Sequence, residues 1–162
     1  MTKAELKSLT FFREGERDLS GRVLDWEKEG HYATVQLLEA LRRRLDSPLS
    51  IIRLAHPGKP TAIDWCCLGR RYRDVVCEVL RLPHASYGFY SGNSIHTDLR
   101  TFTELPARWL AVKEAERPLL GRLDKTVTSV ASGWAYLPWS WDGLQLVIDL
   151  AEKKSGEHPS GN

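Results

Sequence analysis

Few cysteines, no long apolar run and almost no net charge mark this chain by what they exclude. Cys66, Cys67 and Cys77 are an odd count, with neither zinc-finger nor dithiol redox spacing. Adjacent cysteines rarely bridge each other, so a reduced compartment fits better than a disulfide framework. Cys77 falls on an apolar helical pattern and is expected in the core. Cys66 and Cys67 are expected to pack there too, with a thiolate near a metal as the alternative. No stretch approaches the roughly 20 apolar residues of a membrane span. The start, Met1-Thr2-Lys3-Ala4-Glu5, lacks the apolar segment of a signal peptide. Synthesis in the cytoplasm is therefore expected, with any outside target reached through lysis, non-classical delivery or a virus particle.

Twenty-three basic against twenty-one acidic side chains leave a net charge of +2. Phosphate binding needs a concentrated basic surface, so nucleic acid is not an expected partner. Arg42-Arg43-Arg44 and Arg70-Arg71 with Arg73 read as solvated helix faces. No internal repeat or low-complexity domain is present.

What is present is an ordinary globular composition, 42% hydrophobic and 27% charged over 162 residues. One domain over residues 1–154 is expected, with its core in about 31–110, a helical extension over 107–154 and a disordered tail over 155–162. Val35, Leu38, Leu41 and Leu45 recur at helical spacing, and Asp46-Ser47-Pro48 ends that helix. Leu49 to Leu54 and Thr61 to Trp65 read as short strands around a Pro57-Gly58-Lys59-Pro60 loop. Residues 69–82 form an amphipathic helix. Tyr87 to Tyr90 and Ser94 to Leu99 are strands joined by Ser91-Gly92-Asn93, which has hairpin-turn chemistry. Beyond Pro106, helices are expected over 107–116, 119–130 and 141–153. The Leu9-Thr10-Phe11-Phe12 patch is expected to dock onto the body. The fold class is α+β, a small antiparallel sheet flanked by helices, with a helical C-terminal third.

The chemistry concentrates in His56, Asp64, His96 and Asp98. Ser94, His96 and Asp98 share one face of their strand, because side chains alternate with a period of two. Imidazole nitrogen and carboxylate oxygen are zinc ligands, and three such ligands leave a position open for water. Trp134, Tyr136, Trp139 and Trp141 form a second cluster. Trp139 and Trp141 are expected to anchor the last helix, with a wall-binding or protein-docking surface over Trp134–Trp141 as the alternative.

The order of these pieces resembles the D-alanyl-D-alanine carboxypeptidase and endolysin group of zinc peptidases, which share the hedgehog/DD-peptidase fold. His56-Pro57-Gly58 through Ala62-Ile63-Asp64 is similar to the family's Ser-x-His-x-x-Gly-x-Ala-x-Asp motif. Tyr87-Gly88-Phe89-Tyr90 through Ile95-His96-Thr97-Asp98 resembles its final hairpin, and Arg108-Trp109 an Arg-Trp pair that follows it in one subgroup. The resemblance spans roughly residues 31–110. It implies that His56, Asp64 and His96 bind zinc, that Arg53 holds a substrate carboxylate, and that the substrate is the peptide stem of peptidoglycan. Asp98 is then the general base or the partner that orients a ligand histidine.

Two features depart from the family. One residue more stands between His56 and Asp64 than the motif holds, and Asn93 stands where many members carry an acid. Asp98 and Glu104 are candidate replacements, and Asp98 also has Arg100 and Arg108 as candidate ion-pair partners. Both departures favour an alternative: a non-catalytic structural or binding module of a larger assembly, such as a phage particle.

Overall fold

The computed structural model describes residues 11–12, 17–19, 21, 32–56, 59–82, 86–98 and 107–156, and among these the side chains of 32–35, 54–56, 59–61 and 154–156 lie outside the description. Leu9 and Thr10 lie outside the described residues, as does the tail beyond Gly156.

Helix α1 (Tyr32–Leu45) buries Leu38, Leu41 and Leu45 along one stripe. It ends at Asp46, whose φ of 47° carries the chain out of the helix; aspartate is among the few residues that visit this region readily. Arg42, Arg43 and Arg44 occupy the last turn, where positive charge opposes the helix dipole. Phe12 joins the core, and the Phe11 amide donates to the buried Glu39 carboxylate at 2.9 Å. The Arg42 guanidinium stands 4.4 Å above the Phe11 ring. The Phe11-Phe12 segment thus docks as the sequence implies.

Strands β1 (Ser50–His56) and β2 (Lys59–Cys66) form an antiparallel hairpin with two register irregularities. Helix α2 (Tyr72–Leu80) follows and buries Tyr72, Val75, Val76 and Val79. Cys77 is exposed, against the expectation of a core residue, because it lies on the helix face opposite that stripe, with Arg73 and Asp74. Cys66 and Cys67 are buried. Strands β3 (Ser86–Tyr90) and β4 (Ile95–Asp98) pair antiparallel through the expected turn, in which Asn93 takes a φ of 69°.

The C-terminal third is helical only in part. Residues expected as helix form strand β5 (Arg108–Lys113), a 3-10 segment (Glu114–Thr126), then strands β6 (Ser129–Ala131) and β7 (Trp134–Pro138). Leu110, Ala111 and Val112 lie in a stretch that reads as helix, but the open edge of β3 takes them up as a parallel neighbour. Pro118 and Gly121 (φ 54°) keep the next segment from becoming an α-helix. Ser132 and Gly133 both take positive φ, the geometry of a tight hairpin turn, and so join β6 to β7. Helix α3 (Trp141–Gly156) matches its expected place, and the Ser140 hydroxyl accepts from the Gly143 amide at 3.0 Å as its N-cap.

The sheet therefore has seven strands in the order β1-β2-β4-β3-β5-β7-β6, mixed rather than antiparallel because β3 and β5 run parallel. One face carries Ile63, Trp65, Ile95, Tyr87, Phe89, Leu110, Val112, Ala135 and Leu137 into the core. Against it α1 packs on β2, and α3 on β3 and β5. The buried Trp65 indole donates to the Thr97 hydroxyl at 2.9 Å, and the Tyr87 hydroxyl donates to the Leu82 carbonyl. Burial pushes the Tyr87 phenol up to about 12. Trp139 packs on Phe89 at 5.9 Å and serves as the expected anchor, whereas Trp141 is 68% exposed with its edge against Trp139.

Candidate functional site

The opposite face of the sheet holds Asp64, His96 and Asp98. Directly paired residues in a sheet point to the same side. The register links Arg53 to Asp64, Asp64 to His96, His96 to Gly88, and Gly88 to Trp109, so these positions make one row across five strands. Asp98 is two residues beyond His96 on the same face, paired with Ser86.

His96 is buried and has a carboxylate at each ring nitrogen. Its Nδ1 lies 2.7 Å from Asp64 Oδ1, and its Nε2 lies 3.2 Å from Asp98 Oδ2. The two carboxylates differ in access: the Asp64 side chain is 22% exposed and the Asp98 side chain 2%. Burial opposes the charged imidazole, but hydrogen bonds and charge from Asp64 and Asp98 outweigh it and raise the His96 pKa. With both nitrogens protonated, the ring donates to both carboxylates.

Beside His96 the row is shaped by an absent side chain. A Cβ on Gly88 would lie within 2.6 Å of three Trp109 indole atoms, Cε2, Nε1 and Cζ2. Glycine at this point lets the indole lie across β3, with its centroid 5.0 Å from the His96 ring. The indole Nε1 then donates to the Tyr90 hydroxyl at 3.3 Å. Tyr90 is wedged edge-on against Trp134 at 5.0 Å and Tyr136 at 6.3 Å. Burial is the main cause that raises the Tyr90 pKa, with Asp64 and Tyr136 among the groups that add to it.

Of the residues read from the sequence, Asp64, His96 and Asp98 come together, and Arg53 pairs by register with Asp64 and is exposed. The backbone of His56 ends β1 opposite Lys59, about 10 Å along the strand from Arg53 at the rise of an extended chain; its side chain lies outside the described residues. Arg100 and Glu104 also lie outside them. The Arg108 guanidinium stands over the Tyr87 and Trp139 rings, at 6.0 and 5.6 Å. Trp134 and Tyr136 lie on the site face, apart from Trp139. The sequence reading missed the roles of Gly88, Tyr90 and Trp109. A glycine inside a strand two residues from a tyrosine, on the face shared with His96, was the available signal.

The Asp64–His96 pair suits a zinc ion in part. Donors about 2.0–2.1 Å from a tetrahedral ion stand about 3.3 Å apart, so Asp64 Oδ1 and His96 Nδ1 need to open by only about 0.6 Å. Their edge is also the accessible one. Among the described residues no group of three His, Cys, Asp or Glu side chains is arranged to hold a metal. The structure thus brings two candidate donors together, Asp64 and His96, and of His56 only the backbone is described. Cys66 shares the strand face of Asp64, but burial, then the neighbouring Cys67, raises its pKa and favours the neutral thiol. Compared with known proteins, the chain matches no family model, no curated protein and no solved structure.

Proposed function

We propose that the chain is a zinc-dependent peptidase of peptidoglycan stem peptides. The observation that carries this reading is the asymmetric setting of His96. One ring nitrogen faces an accessible carboxylate, and the other faces a buried one. In catalytic zinc sites a ligand histidine commonly donates its second N–H to a carboxylate that fixes its tautomer. In this reading Asp64 and His96 Nδ1 hold the metal with His56. Asp98 would accept a hydrogen bond from Nε2–H and keep the proton on Nε2, which leaves the Nδ1 lone pair available to a metal. When bound, zinc supplies carbonyl polarisation and acidifies a water. Arg53, beside Asp64 in the row, binds a substrate carboxylate through its planar fork. The choice of stem peptide rests on the resemblance of residues 31–110 to peptidoglycan peptidases.

A second reading draws on the same geometry. Both His96 nitrogens are satisfied by protein carboxylates, as in a purely structural polar chain, and this favours a non-catalytic module of a larger assembly. Metal analysis separates the two. The peptidase reading expects one equivalent of zinc, lost in His96→Ala, and new amino termini when the protein is incubated with peptidoglycan. A metal-free protein that stays metal-free on zinc addition refutes it.

A further inference from the structure

We infer that the sheet face around Trp109 is a saccharide-binding site, which takes a β-1,4-linked chain of pyranose rings with one ring stacked on the outer face of the indole. The inference needs no metal and does not rest on the peptidase reading. Orientation comes first. A Cβ on Gly88 would stand 2.3 Å from Trp109 Cε2, 2.4 Å from Nε1 and 2.6 Å from Cζ2. At that distance, a point in the ring plane outside Cε2 would be nearer to one of those two neighbours than to Cε2 itself. The Cβ direction therefore meets the indole on its face, and the ring lies flat over the backbone of β3. Gly88 covers the inner face, the Nε1–H donates to the Tyr90 hydroxyl at 3.3 Å, and the His96 ring flanks the indole at 5.0 Å, tilted by 53°. Trp109 stays half-buried, and the face turned away from β3 is the side that none of these neighbours covers.

The second point is the extent of the platform. Side chains on one face recur every second residue, so Trp109, Ala111 and Lys113 of β5 share a face with their partners Pro138, Tyr136 and Trp134 of β7. Tyr90 joins them through its pairing with Ala111 and stands edge-on to Trp134 and Tyr136, at 5.0 and 6.3 Å. Small residues lie beside these rings: Ala111 is fully buried, and a Cβ on Gly92 would come within 3.2 Å of Trp134 Cη2. From Trp109 to Lys113 the strand runs about 13 Å, the length of a short oligosaccharide rather than of one ring.

The third point chooses the occupant. Beside the indole the row continues through His96 to Asp64, 22% exposed, and to the exposed Arg53, while the exposed Lys113 borders the platform farther along β5. A β-linked pyranose ring has a flat face of C–H bonds and a rim of hydroxyls that both donate and accept. Its C–H face fits the indole, and its rim meets an acceptor in Asp64 and donors in Arg53 and Lys113. A single-stranded nucleic acid also stacks on aromatic rings, but it needs a basic groove along its phosphates. Here Arg53 on β1 and Lys113 on β5 are separated by strands that carry Asp64 and Asp98.

The test titrates the full chain, with a chelator present, with N-acetylchitotetraose and with cellotetraose, which separate an acetamido-sugar source from a plain glucan. Maltotetraose, whose α linkages curve the chain out of a plane, is the control. Expected is saturable binding of at least one β-linked tetramer. The indole N–H resonance of Trp109 shifts with it, and that of Trp141, 68% exposed on α3, does not. Trp109→Ala weakens binding about tenfold, and Gly88→Ala, which keeps the indole but lifts it off the strand, does so by a similar factor. Trp141→Ala stays within about threefold of wild type on the same principle. Melting curves identify the variants that are folded during the titration, and the wild-type resonances decide the case where Trp109→Ala is not. No saturable binding of either β-linked tetramer at millimolar concentration overturns the inference. So does equal affinity for maltotetraose, an equal loss in Trp141→Ala, or binding of a single-stranded oligonucleotide in place of the sugars.

Discussion

Gly88→Ala is the sharpest perturbation of the site that does not touch a titrating group. Gly88 sits in an extended strand, so an alanine costs nothing in backbone geometry. Relative to glycine it reduces the entropy lost on folding, by about 0.5–1 kcal/mol. The cost is local: the new methyl lies within 2.6 Å of Trp109 Cε2, Nε1 and Cζ2, well inside contact distance. A rigid bicyclic ring must retreat by roughly 1 Å, and overpacking of this kind costs about 1–3 kcal/mol. Retreat also stretches the bond to Tyr90, already 3.3 Å long, for about 1 kcal/mol more. The net expectation is a loss of about 2 kcal/mol, which in a domain of this size lowers Tm by about 4–8 °C. Urea titration and thermal melting measure it. The control is the same substitution in a Trp109→Ala background, where the obstacle is gone and the added methyl is neutral or stabilising by about 0.5 kcal/mol. A single variant as stable as wild type, or an equal loss in both backgrounds, refutes the claim that Gly88 exists to admit the indole.

Asp98→Asn removes the charge behind His96 while keeping its shape, and zinc affinity measured against a competing chelator should fall about 10–100-fold; unchanged affinity refutes the orienting role. In the metal-free chain the raised His96 pKa makes a stabilising contribution that is complete below the unfolded value of about 6.5 and is lost as pH rises through the folded one. The urea midpoint should therefore decline over that window in wild type and lose this component in His96→Gln. Zinc binding runs in the opposite sense, tightening as pH rises, because the ion must displace the Nδ1 proton. Glu39→Ala leaves the Phe11 amide without its carboxylate and should cost about 1–3 kcal/mol. Hydrogen exchange at the Phe11 amide should rise with it, and an amide still protected refutes the docking role of Glu39.

Much of the frame was readable because it depends on local pattern. The Leu38-Leu41-Leu45 stripe, the Ser91-Gly92-Asn93 turn and the last helix over 141–153 each carry their own signal within a few residues. The same holds for His96 and Asp98 on one strand face. β5 failed because its residues read as helix and are extended only by the vacant edge of β3, a partner some twenty residues away. The β6–β7 hairpin failed for a smaller reason: Ser132-Gly133 is a turn signal, but the aromatic cluster after it drew the reading toward an anchor for the last helix. Sheet size followed from those two misses.

The roles within the site were harder to read than its membership. Alternation in β4 places His96 and Asp98 on one face but does not tell which edge of the imidazole meets water. That is decided by residues from other strands. The indole of Trp109, admitted by Gly88, covers one side of the ring, while Asp98, paired with Ser86, is buried at Nε2 and Asp64 stands at Nδ1 with access to solvent. A carboxylate shut away from water is poorly placed to take a proton from one, and well placed to hold a histidine. The choice between Asp98 as base and Asp98 as orienting partner, open at the level of sequence, therefore turns on the packing of β3 and β5 over one ring.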